Sequence, residues 1–242
     1  MMFTIRSGSM TAVIDSVGAQ LMSLQSVDGT QYLWQGDPKY WPDRSLTIFP
    51  YVARLTDGCY RYRGELYHMP IHGFAPTAEF SVAEQTDAAI TFVLESCPAF
   101  YEQYPFLFRY SIRYRLENAT LHVEITVENK DEKTMHFGLG GHPGINVPLE
   151  EGLRFEDYVI EVPPCQPRRM EFTPACFITG RELPFPMECN QLPLSHHMFD
   201  EDAIVLKGIP GEVTLKSSKG HRGVTLMAPD FPIFGFWHMP KT

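Results

Sequence analysis

The stretch Gly140-Gly141-His142-Pro143-Gly144-Ile145-Asn146-Val147-Pro148 sets one histidine among three glycines and two prolines. Glycine lets a backbone turn at positive φ or approach a ligand closely, and proline fixes φ. The motif therefore predicts a rigid, tightly turned backbone around His142, just past a strand. An imidazole titrates near neutral pH, so a histidine held in this way suits proton transfer. The competing reading is a histidine that merely closes a turn. A second motif, Met69-Pro70-Ile71-His72-Gly73-Phe74-Ala75, again places a histidine between a proline and a glycine. It follows Phe49-Pro50-Tyr51-Val52-Ala53-Arg54-Leu55, where an arginine closes an aromatic and apolar segment. Taken singly, Arg54 reads as a surface charge and His72 as a hydrogen-bonded core histidine. Arg54, His72 and His142 share apolar, Gly/Pro-marked settings, which points to one polar site lined by all three.

The elements that must position these residues are strands. In Phe106–Leu116 the even positions are apolar or aromatic and the odd ones mostly polar, three of them arginines. This is the period of a half-buried strand. Glu117-Asn118-Ala119-Thr120 offers a turn, after which Leu121, Val123, Ile125 and Val127 alternate with His122, Glu124, Thr126 and Glu128. The pair predicts an antiparallel hairpin with one wet face, on which arginines and glutamates can pair. His122 reads as a solvated member of that face. Further strands are expected at Phe3–Ile5, Ala12–Ile14, Phe80–Ala83, Ile90–Leu94, Val213–Leu215 and Val224–Leu226, with a short helical turn over Pro98–Tyr104. No segment has a convincing helical period, and 20 prolines and 18 glycines punctuate the chain. Many short strands with frequent turns imply an all-β sandwich of antiparallel sheets. Residues 163–198 are rich in proline, yet carry Met170, Phe172, Phe177, Ile178 and Phe185. They read as a long loop lying on the sandwich.

Composition bounds the rest. A chain of 242 residues suits one β domain, and 44% apolar residues supply its core. A net charge of −9 without any Lys/Arg cluster argues against nucleic acid as a partner. Five cysteines, odd in number and without Cys-x-x-Cys spacing, fit reduced thiols of a cytoplasmic protein better than a disulfide framework or a zinc site. The N-terminus shows no basic region followed by an apolar run, and no segment approaches the ~20 apolar residues that span a bilayer. A soluble protein without a membrane partner is expected. A cupin-like metal site would need clustered, alternating histidines with a downstream glutamate. His72 and His142 lie in separate motifs and His196-His197 is adjacent, so no metal is expected.

The ordered set of motifs resembles the aldose 1-epimerase (galactose mutarotase-like) family. The resemblance is carried by Tyr32-Leu33-Trp34-Gln35-Gly36-Asp37, Tyr40-Trp41-Pro42, Phe49–Leu55, Ile71-His72-Gly73-Phe74, Gly140–Pro148 and Phe199-Asp200-Glu201-Asp202-Ala203. Order and approximate spacing agree over nearly the whole chain, and the match is closest to a divergent bacterial branch. It implies a single domain over 1–242 with the galactose mutarotase-like supersandwich. It also implies interconversion of the α and β anomers of a hexose-like sugar. That reaction needs a proton taken from the C1 hydroxyl and a proton given to the ring oxygen, then the reverse on the other face of the carbonyl. One general base and one general acid suffice, without cofactor or metal. The resemblance makes His142 the acid on the ring oxygen and His72 a second histidine at that oxygen. Arg54 would donate to sugar hydroxyls through its planar fork. Asp202, directly before Ala203-Ile204-Val205-Leu206, would accept from them, with Asp200 as the alternative. Trp34, Trp41, Phe74 and Trp237 are candidates for an apolar wall against the sugar.

One departure stands against this. The resemblance places the general base on a glutamate in a Glu-Pro-Trp-like context, after a segment like Pro232–Trp237. No Glu-Pro dipeptide occurs in residues 1–242. Either this is a shortened form lacking its last strands, or the chain binds or senses sugars without epimerising them.

Overall fold

A computed structural model describes residues 1–240. They divide into two compact units, Met1–Ile145 and the remainder from Asn146.

The first unit holds eleven strands: β1 (Met2–Ser7), β2 (Met10–Asp15), β3 (Leu21–Ser26), β4 (Ser45–Ile48), β5 (Cys59–Tyr62), β6 (Glu65–His68), β7 (Ser81–Gln85), β8 (Ala89–Glu95), β9 (Phe108–Glu117), β10 (Thr120–Asn129) and β11 (Gly140–Pro143). They form antiparallel sheets ordered β1-β2-β3 and β10-β9-β8-β7, with the pairs β11-β4 and β5-β6. The alternation read in Phe106–Leu116 decides β9. Phe108, Tyr110, Ile112, Tyr114 and Leu116 are buried, and the residues between them are half-exposed. On the wet face, Arg109 lies opposite Glu128 and Arg113 opposite Glu124. Arg109 reaches Glu128 at 3.6 Å and Glu95 at 3.0 Å. These exposed pairs contribute ~0.2–1 kcal/mol each at most. His122 is not simply solvated: its Nε2 stands 3.4 Å from Glu117. The β9–β10 loop turns at Asn118 with φ +54°, a conformation asparagine tolerates better than most residues. The helical turn expected near Pro98 is a single short helix, Pro98–Tyr101.

The second unit holds β12 (Tyr158–Glu161), β13 (Arg168–Phe172), β14 (Ile178–Pro184), β15 (Gln191–Pro193), β16 (Ile204–Lys207), β17 (Glu212–Ser217), β18 (Gly223–Met227) and β19 (Ile233–Phe236). Two four-stranded sheets result, ordered β15-β12-β17-β18 and β14-β13-β16-β19. The stretch 163–198 is thus not a long loop but contains three strands. Its prolines hid them for a physical reason. Pro184 and Pro193 end β14 and β15, which are edge strands, and Pro167 immediately precedes β13. Proline removes a ladder donor and is tolerated at sheet edges and strand ends.

Candidate active site

The pairing of β4 with β11 positions the histidines. His142 stands opposite Leu46 in that ladder, so it belongs to a short strand rather than to the tight turn its glycines suggested. Of those glycines, Gly144 is the one under steric constraint. A Cβ there would come within 2.8 Å of the Trp41 ring and 2.9 Å of the Trp34 Cβ. Trp34 donates its indole N–H to the Trp41 carbonyl at 2.8 Å. Trp41 in turn covers His142, with ring centroids 4.8 Å apart. Of the proposed wall residues, Trp41 lies against the candidate acid. Phe74 does not belong to a wall: it is buried in the core, stacked on Phe100 at 4.5 Å. Trp237 follows β19 in the second unit.

After β4 the chain leaves the core at Phe49, runs exposed from Tyr51 to Arg54, and returns at Leu55. The loop carrying His72 is tied to this segment twice. The His72 N–H donates to the Ala53 carbonyl at 2.9 Å, and the Ala53 N–H donates to His72 Nδ1 at 3.2 Å. Ala53 and His72 both adopt left-handed backbone with φ +65°. Because Nδ1 accepts, the neutral ring carries its proton on Nε2, which is left as a donor. Gly73 follows with φ +77°, and a Cβ there would overlap the Phe49 carbonyl and the Pro50 ring. The His72 ring meets His142 edge-on with centroids 5.7 Å apart.

Electrostatics follows from this placement. Burial pushes the His72 pKa down to about 4, and the neighbouring His142 and Arg54 charges act in the same direction. A proton on Nδ1 would also face the Ala53 N–H it now accepts from. Burial likewise lowers His142, opposed by a hydrogen bond to its own backbone and by the Asp43 carboxylate. Both imidazoles are therefore mainly neutral at neutral pH. Asp43 and Ala53 were missed by sequence reasoning. Asp43 lies beside the Trp41-Pro42 motif and Ala53 beside Arg54, but neither residue type advertises its role.

The structure thus brings Arg54, His72 and His142 together within the first unit. Asp202 belongs to the second. There it follows a 3₁₀ turn, His196–Phe199, with φ +80° and its N–H donating to the Phe199 carbonyl at 3.0 Å. Its Oδ1 accepts from the Ala203 N–H at 2.7 Å and its Oδ2 from the Cys176 thiol at 2.8 Å. Asp200 is different: it is exposed and stands 3.3 Å from His197. Among the described residues, no three His, Cys, Asp or Glu side chains converge as metal ligands.

Antiparallel sheets here carry a histidine pair beside an arginine, side chains whose chemistry suits acid–base transfer. The family profile described as aldose 1-epimerase matches residues 1–232. The plasmid-encoded Protein LacX of Lactococcus lactis subsp. lactis is 31% identical over 250 residues, covering 98% of this chain and 83% of the relative. A galactose mutarotase related enzyme from Lactobacillus acidophilus superposes with a TM-score of 0.92 at 31% identity, over all of this chain and 82% of that one. A galactose mutarotase-like protein from Lactobacillus casei superposes with a TM-score of 0.93 at 32% identity, over all of this chain and 84% of its own. The chain belongs to the aldose 1-epimerase family and has the galactose mutarotase-like fold. A sugar-epimerase kind of function goes with that membership. No described helix is long and apolar enough to cross a membrane.

Proposed function

We propose that this protein interconverts the α and β anomers of a free hexose by acid–base ring opening. The observation that carries the reading is the histidine pair, 5.7 Å apart and held by an exposed arginine-bearing loop. In this reading His142 protonates the ring oxygen as the C1–oxygen bond breaks, and takes the proton back on closure. His72, with Nε2–H as its donor, binds the same oxygen. Arg54 donates to sugar hydroxyls. In the second unit, Asp202 is read as an acceptor of sugar hydroxyls. The C1 hydroxyl proton goes to a general base that the family resemblance makes a glutamate; no residue within 1–240 is given that role. The cysteine pattern accords with a cytoplasmic location.

The test follows freshly dissolved α-galactose and α-glucose by polarimetry or proton NMR. The protein should accelerate anomerisation. His142→Ala should slow it by ~10²–10⁴-fold, the usual worth of one positioned acid, with the fold retained by circular dichroism. Sugar binding without acceleration would assign the chain to carbohydrate binding or sensing on the same fold. Neither binding nor turnover would sink both readings.

A further inference from the structure

We propose that Cys176 is a positioning residue for Asp202: its thiol aims the carboxylate that holds the sugar hydroxyls. The inference rests on the reading of Asp202 as a sugar ligand and adds a residue to it. Cys176 lies in the turn joining β13 to β14. That turn is closed by its own hydrogen bonds, from the Cys176 N–H to the Thr173 carbonyl at 2.9 Å and from the Thr173 N–H to the Phe177 carbonyl at 2.8 Å. The Phe177 N–H also donates to the Thr173 hydroxyl at 3.2 Å. The left-handed backbone of Cys176, φ +60°, presents the thiol to Asp202, so Sγ donates to Oδ2 at 2.8 Å.

A carboxylate turns freely about its last torsion, which has broad minima rather than sharp wells. One donor fixes one oxygen and leaves the plane free to swing. Here the Ala203 N–H fixes Oδ1 and the Cys176 thiol fixes Oδ2, so the plane itself is set. Each carboxylate oxygen can accept twice. After these two bonds, each retains a lone pair for a sugar hydroxyl. The thiol is a weak donor, which suits this role: it orients the carboxylate while quenching little of its charge. Among the described residues, the Asp200 carboxylate meets exposed His197 and shows no such clamp.

The experiment titrates the full chain with galactose, and with glucose in parallel, by calorimetry. The variants are Cys176→Ala, Cys176→Ser, Asp202→Ala and the double variant. Circular dichroism confirms folding; should Cys176→Ala not fold, Cys176→Gly, which suits φ +60°, takes its place. Cys176→Ala should weaken binding by about five- to twentyfold, less than the roughly 10- to 150-fold of a full bond to a charged acceptor, because the thiol is a weak donor and acts on the sugar through Asp202. Cys176→Ser, which keeps a donor, should recover most of that loss. The double variant should bind no worse than Asp202→Ala, because the positioning role proposed for Cys176 runs through that carboxylate. If Asp202→Ala weakens binding while Cys176→Ala binds like the parent, or if the two losses multiply, the positioning role is wrong and the sugar-ligand reading stands. If Asp202→Ala binds like the parent, the sugar-ligand reading fails and takes this inference with it.

Discussion

His142 carries the conflict between acid strength and acid supply. Burial holds its pKa below the ordinary 6.5, which makes the imidazolium a stronger acid but a scarcer one at neutral pH. If the protonated ring is the working form, kcat/KM must fall as pH rises through the free enzyme's pKa. The expected outcome is a kcat/KM that climbs as pH is lowered from about 8 toward about 6.5. A pH–rate profile that is flat or falls over that interval would take the acid role from His142. Two buried tyrosines offer a second contrast at this scale. Tyr114 donates its hydroxyl to the Ala19 carbonyl at 2.8 Å, whereas the Tyr110 hydroxyl, under Phe49 stacked at 4.5 Å, meets no protein partner among the described residues. Removing a satisfied hydroxyl leaves a buried carbonyl unpaired and costs about 1–3 kcal/mol, while removing an unsatisfied one is near neutral or stabilising. Tyr114→Phe should therefore lower stability in urea and Tyr110→Phe should not. Equal losses would mean that the Tyr110 hydroxyl is satisfied.

At the scale of elements, the site depends on two backbones approaching more closely than side chains allow. Gly73 lies against the Phe49 carbonyl and the Pro50 ring with φ +77°. Alanine there would combine a left-handed penalty of about 1–2 kcal/mol with overpacking of about 1–3 kcal/mol. Gly73→Ala should thus shift the urea midpoint strongly, and Gly140→Ala much less. Gly140 lies in β11, and the nearest contact of its Cβ would be an ordinary 3.8 Å. Comparable midpoints for the two variants would remove the steric argument. The same contrast explains what could be read from the chain. Period-two alternation exposed β9 and β10, because their buried and wet faces differ in residue type. The motifs around Arg54, His72 and His142 were visible as polar groups in apolar, Gly/Pro-marked settings. What escaped were backbone events and one long-range side-chain bond. The Ala53–His72 hydrogen bonds need two left-handed residues that are neither glycine nor asparagine, and no side-chain pattern announces them. The thiol of Cys176 bonds Asp202 across 26 residues, a separation without periodicity. The hairpin of β13 and β14 escaped because proline at an edge strand looks like proline in a loop.

The whole molecule has an acid sensitivity built from its histidines. His72 is pushed down to about 4, and burial also lowers His142 and His238. An unfolded histidine titrates near 6.5, so between that value and the folded pKa the unfolded chain binds more protons than the native one. Stability must then rise with pH across this window, and be lost as pH falls from about 6.5 toward about 4. The half-buried carboxylates of surface ion pairs act lower. Lys130, Lys216 and Lys207 hold Glu128, Glu161 and Glu182 below their ordinary range. Their contributions are present above the unfolded carboxylate pKa and vanish at still more acid pH. Two stages of acid destabilisation are expected, the first from histidines and the second from carboxylates. His72→Asn tests the first, because asparagine tolerates the left-handed backbone and does not titrate. Calorimetric melting temperatures should fall between about pH 7 and about pH 5 in the parent, and His72→Asn should make that fall shallower. The variant loses its Nδ1 acceptor as well, so its absolute melting temperature is not the readout; the slope against pH is. A parent whose melting temperature holds constant over this window would show that the buried histidines take up protons in the native state as readily as in the unfolded chain.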